Sequence, residues 1–204
     1  MSQNIYCKPV LKINNVEVQH LDSVKFSDTG NNQLQKLSAT ITEPDFENSK
    51  LFNASVEFYL NYGSSDGCPI FRGFIKDFNP SGTKISINAL DVRTLISGQN
   101  AFPVVIDDAK NYDGQSVPAF LMDVIDSMNH DLLKTTTLND IDKPVFMTNI
   151  RETGSAYDIA VREINKALDE SDLFSPLSFE FDVVHLENHS SIKIIKQKII
   201  TSSP

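Results

Sequence analysis

The residues best equipped for chemistry sit together in HLENH, residues 185–189. His185 and His189 lie four apart with Glu187 between them, a spacing that on a helix would let two imidazoles share a metal ion. Here the pentapeptide falls between two alternating runs, LSFEFDVV and SIKIIKQKII, and reads as a polar turn. Cys7 and Cys68 form no C-x-x-C pair and have no zinc-like spacing, so small buried apolar side chains are expected of both. No G-x-S-x-G elbow is present, and no serine or cysteine can be matched to a positioned histidine. The loop YGSSDG, residues 62–67, lacks the G-K-[ST] ending of a phosphate-cradling loop and reads as a hairpin loop. Asp107-Asp108 and Asp140/Asp142 lie in acidic loops and read as solvated surface. These residues predict no catalytic group, no cofactor and no metal, and hence a protein that is not an enzyme.

The charge balance narrows the partners. Net charge is −9 across 204 residues, and no cluster of Lys and Arg stands out. Gripping DNA or RNA rests on such clusters. The densest basic stretch, IKIIKQK, alternates Lys with apolar residues and reads as a strand with a wet side. The opening MSQNIYCKPVLKINN contains no apolar run of signal-peptide length, which leads to the expectation of reduced thiols in a cytosolic setting. No stretch approaches the roughly 18 apolar residues of a membrane span, so no membrane binding by the chain itself is expected.

The elements that would position any site are strands in the first half. LKINNVEV is two alternating runs joined by Asn14-Asn15, residues that tolerate positive φ in a two-residue hairpin loop. Period-two patterns follow: Val24 and Phe26; Leu37, Ala39 and Ile41; Val56, Phe58, Leu60 and Tyr62; Ile85, Ile87 and Ala89. SDTGNN, EPDFENSK, YGSSDGCP and NPSG supply turn residues between them. One stretch, CPIFRGFIKDFNP, breaks the alternation. Ile70, Phe74 and Phe78 are assigned to one side, Phe71 and Ile75 to the other, with Gly73 inside the strand. A glycine there suits a bend, a bulge or a close backbone approach.

After Gly98 the period changes. Val117, Phe120, Leu121, Val124, Ile125 and Met128 have helical spacing, with Ser116 as N-cap and Pro118 in the first turn. Tyr157, Ala160, Val161, Ile164 and Leu168 mark a second helix, opened by Ser155 and Asp158 as a capping box. KPVFMTNI between the helices and the two alternating runs after them read as strands. The expected fold class is mainly β with α+β character: a small antiparallel β-barrel over residues 1–98, then an α/β domain over 99–204 with helices near 116–129 and 155–169.

Taken in order, the short hairpin, SVKFSDTGNN, LSATITEPDF, VEFYLNYG, PIFRGFIKDF and KISINALDVRTLI resemble the first β-barrel of the baseplate hub proteins of contractile-tailed phages. Phage late control protein D and the spike proteins of the type VI secretion system share that plan. The family's strand of the form apolar-[FY]-x-G-x-[IV] is matched by Phe71, Arg72, Gly73, Phe74 and Ile75, and its strand-ending Asp by Asp91. FMTNIRETGSAYDIAVREI is similar to the family's α/β insertion. The resemblance implies a structural role: a trimeric or hexameric ring in a virion tail baseplate, partnered by tail tube and central spike proteins, with DNA only passing through its channel. It places Phe71, Arg72, Gly73, Phe74 and Asp91 at a barrel bend or in inter-subunit packing. Family hubs usually carry two barrels per chain, and one is expected here, which implies that six copies assemble, that three copies alternate with a second protein, or that the chain is a shortened hub or a tube-terminating protein between tube and hub. A stand-alone virion or cell-surface binding module, for carbohydrate or protein, is the competing expectation.

Overall fold

Asn14 and Asn15 adopt φ of 49° and 64°, the left-handed pair that a tight two-residue hairpin requires. They join β1 (Cys7–Ile13) to β2 (Val16–Glu17), as their sequence predicts. The computed structural model describes residues 7–28, 34–42, 50–62, 67–98, 101–108, 110–134, 146–148, 151–170 and 177–198. Asp140 and Asp142, and most of the EPDFENSK and YGSSDG turns, lie outside the described residues, as do the side chains of Cys7, Tyr62 and Leu168.

The chain divides into two compact units. The first comprises residues 1–94 and 185–190, the second residues 95–184 and 191–204. In the first, β3 (Leu21–Ser27), β4 (Lys36–Ile41), β5 (Ser55–Tyr62), β6 (Phe71–Ser81) and β7 (Lys84–Asp91) join β1 and β2 in a seven-stranded antiparallel sheet of order β2-β1-β5-β6-β7-β4-β3. The sheet is curled into a half-barrel. One of its faces is apolar because the alternating residues deliver one side of each strand: Leu11 and Ile13, Leu37, Ala39 and Ile41, Val56 and Phe58, Phe71 and Ile75, Ile85, Ile87 and Ala89. Burying each large aliphatic or aromatic side chain contributes about 1.5–3 kcal/mol, so this layer dominates the unit's stability.

Strand β6 departs from its expected facing. Ile75 lies opposite Ala89, yet Phe78 lies opposite Ile87, with a bulge between Ile75 and Asp77. One extra residue turns Phe78 onto the core layer with Phe71 and Ile75, away from the side assigned to it with Phe74. Cys68, expected to be buried, is exposed, because the chain is covered only from Pro69 and Ile70 onward, after it.

The second unit opens with β8 (Pro103–Ile106) paired to β10 (Glu152–Ser155). Neither strand shows in the sequence, being four residues long and carrying Pro or Gly. Helix α1 (Val117–Met128) has Ser116 accepting from the Ala119 N–H and ends on Asn129 at φ 48°. Its Val117, Phe120, Leu121, Val124 and Ile125 are buried, as their spacing predicts. Helix α2 (Ala156–Glu170) begins where Ser155 accepts from the Asp158 N–H and donates to the Asp158 carboxylate. Of the expected KPVFMTNI strand, residues 146–148 are described, and Phe146 makes a single bridge to Ser116. The buried carboxylate of Glu163 accepts from the Thr148 N–H and hydroxyl. A third sheet orders β11 (Leu177–His185), β12 (Ser190–Lys198) and β9 (Leu133–Lys134) as β11-β12-β9.

Candidate functional site

Antiparallel register sets Glu57 of β5 directly opposite Arg72 of β6, on the face of the sheet away from the apolar layer. Both are buried, Arg72 completely. The Arg72 Nε donates to Glu57 Oε1 at 2.6 Å, and the Tyr59 hydroxyl donates to Glu57 Oε2 at 2.6 Å. The guanidinium's other donors turn to the 185–190 segment. Nη1 donates to the Leu186 carbonyl at 3.0 Å and the Ser190 hydroxyl at 3.4 Å, and Nη2 to the Glu187 carbonyl at 2.8 Å. Burial and the adjoining Glu57 carboxylate push the Tyr59 hydroxyl's pKa well up, which keeps it a donor.

A second buried pair lies at the far end of β7. Asp91 accepts from the Gln35 N–H at 2.5 Å, the Arg93 N–H at 2.7 Å and the Arg93 guanidinium at 2.7–3.1 Å. It thereby caps the 3₁₀ turn Val92–Leu95, whose Thr94 hydroxyl donates to the Asp91 carbonyl. His185 joins the two pairs. Its Nδ1 is 2.8 Å from the Ser190 hydroxyl and its Nε2 is 3.3 Å from Gln35 Oε1, while Gln35 Nε2 donates to Asp28 at 2.9 Å. Because Gln35 presents its oxygen, the neutral imidazole carries its proton on Nε2 and accepts from Ser190 at Nδ1. Burial, then the cations Arg72 and Arg93, lower the His185 pKa to about 4.

Of HLENH, His185 therefore points into the first unit, while the Leu186 N–H closes the turn on the His189 carbonyl at 2.8 Å. The residues assigned to the glycine strand separate by role. Phe71 and Arg72 are both fully buried, but on opposite faces of β6, and Phe71 meets Phe26 edge to face at 6.1 Å between centroids. Phe74 is half-buried and lies between Ser55 and Leu90. Gly73 sits opposite Asp91, where an added Cβ would stand 2.0 Å from the Leu90 carbonyl oxygen and 2.9 Å from the Asp91 Cα. Its φ is not positive, so a close backbone approach, and not a left-handed conformation, demands glycine there.

The sequence marks none of Glu57, Tyr59, Gln35 and Arg93, and marks His185 only as a metal-ligand candidate in a polar turn. Glu57 and Tyr59 occupy the expected polar side of β5, and the cross-strand pair Glu57–Arg72 becomes visible only once the register of β5 on β6 is known. Each carboxylate of the Glu57–Arg72 and Asp91–Arg93 pairs is taken up by a guanidinium and by N–H or O–H donors. The chemistry of this cluster is positioning: it fixes the ends of β4, β6 and β7 and the 185–190 turn as one set.

No protein-family model matches the chain, and no curated protein matches its sequence. Solved structures do match. A tail protein from Neisseria meningitidis MC58 aligns over 90% of this chain and 50% of its own, at a TM-score of 0.58 and 9% identity. The 43 kDa tail protein of prophage MuSo2 from Shewanella oneidensis aligns over 92% of this chain and 54% of its own, at 0.62 and 12% identity. The chain thus spans about half the length of these proteins, and across nearly all of its own length its fold is similar to theirs.

Proposed function

We propose that this chain is a structural component of a phage tail, or of a phage-like injection machine, and is not an enzyme. It forms part of a baseplate ring that connects the tail tube to the central spike and lines the channel between them. The observation that carries this reading is the likeness of both units together, over nine-tenths of the chain, to two tail proteins. The net charge of −9 suits a wall that DNA passes without sticking. Deleting the chain from a particle that carries it should give tubes lacking an attached spike. Intact, infective particles after deletion would refute the proposal.

A binding-module reading draws on three exposed aromatic side chains, Phe52, Phe102 and Phe146, which are 62%, 47% and 57% accessible. Under that reading the deletion would leave assembly intact and impair attachment alone.

A further inference from the structure

The turn at residues 185–190 belongs to the first unit, and side chains tie it to the sheet. Arg72 donates to its Leu186 and Glu187 carbonyls and to the Ser190 hydroxyl, and the His185 ring reaches Gln35. The turn closes on itself through the Leu186 N–H and the His189 carbonyl, so it can leave the sheet without losing its own shape. The apolar layer that joins the seven strands lies on the face opposite Arg72, and none of its members titrates.

The His185 ring is where a proton disturbs this arrangement. In the neutral ring Nδ1 accepts from the Ser190 hydroxyl at 2.8 Å and Nε2 donates to Gln35 Oε1 at 3.3 Å. A proton on Nδ1 turns that nitrogen into a donor. The Ser190 oxygen then faces two cationic donors, the imidazolium and Arg72, and its own hydroxyl proton loses its acceptor. Ser190 has no exposed surface, so water cannot replace that acceptor while the turn is seated. The carboxylates of the cluster are already engaged: Glu57 by Arg72 and Tyr59, Asp28 by Gln35 Nε2, and Asp91 by Arg93 and the Gln35 N–H. Arg72 and Arg93 oppose the new charge, while Glu57 and Asp28 favour it more weakly. On the turn itself Glu187 is exposed and His189 half-buried.

We propose that residues 185–190 form an acid-released latch, which protonation of His185 detaches from Arg72 and Gln35 while the seven-stranded sheet stays folded. Release turns the Arg72 Nη groups from the turn to solvent. The ring's pKa is about 4 when the turn is seated and returns to its ordinary 6.5 when the turn is released. Because the seated value is the lower one, the latch is at full strength above pH 6.5 and weakens as pH falls toward 4. Seating becomes about 100-fold less favourable between pH 7 and pH 4. The latch does not depend on the tail reading.

The test follows the intact chain by NMR from pH 7 to pH 4. It reads the His185 ring titration, the Arg72 side-chain N–H exchange, and the Ala39 and Ile87 amides of the sheet, with exchange corrected for its intrinsic pH dependence. The expected result is Arg72 Nη exchange about 100-fold faster at pH 4 than at pH 7, in step with ring protonation, while the two sheet amides change less than about tenfold. His185→Asn, whose amide can accept from Ser190 and takes up no proton in this range, should keep Arg72 protected down to pH 4. Three results would each overturn the latch: Arg72 still protected at pH 4 in the wild type, Arg72 and the sheet amides losing protection together, or the Asn variant opening at the same pH.

Discussion

Arg72 has no exposed surface, yet it carries a full charge. Burying an ion is costly unless every donor is used, and here the guanidinium reaches one carboxylate, two carbonyls and one hydroxyl. Arg72→Met, which strands the Glu57 carboxylate, should destabilise the protein by about 3–5 kcal/mol in urea unfolding; a loss below ~1 kcal/mol would contradict the role assigned to it. Gly73 is constrained by space. Gly73→Ala would drive a Cβ into the Leu90 carbonyl and should cost about 1–3 kcal/mol or more, against the few tenths expected of a tolerant strand position. Wild-type stability for that variant would show that the two strands can separate there freely.

His185 gives the molecule a pH response of defined sign. Its pKa is about 4 in the folded chain against an ordinary value of 6.5, so the unfolded chain binds the extra proton first. Its contribution is fully present above pH 6.5 and declines as pH falls from there to about 4. The span corresponds to about 3 kcal/mol. Facing it are Arg72 and Arg93, which oppose protonation, and Glu57 and Asp28, which favour it. His185→Gln should flatten the stability profile between pH 6.5 and 4, relative to the wild type measured by the same thermal melts. An unchanged slope would remove His185 as the cause.

At the scale of elements, what could be read in advance followed local rules. The Asn14-Asn15 turn, the alternating faces of β4, β5 and β7, the Ser116 cap and the α1 stripe all depend on residues within one or two turns of one another. β6 could not be read that way. Its bulge at residues 75–77 is a property of pairing with β7, and its second buried face exists because the 185–190 turn, more than a hundred residues later, lies against Arg72. The β8–β10 ladder escaped for a similar reason: four residues are too few to show a period. Leu121 tests the helical reading. It is buried in α1, so Leu121→Asp should cost several kcal/mol for an unpaired buried charge. Circular dichroism showing native helix content and cooperative melting in that variant would contradict the packing described for α1.

For the whole molecule, the fold likeness to tail proteins and the sheet edges bear on one question, namely what surrounds this chain when it works. Among the described residues the seven-stranded sheet ends at β2 on one side and β3 on the other, and the chain spans about half the length of the matched tail proteins. The net charge of −9 does not choose among assemblies.

The most direct measurement is electron microscopy of the native particle that contains this chain, with its mass and symmetry determined. A ring of threefold or sixfold symmetry between tube and spike, with this chain in its wall, is the predicted result. A stable monomer that remains apart from every tail component would contradict it.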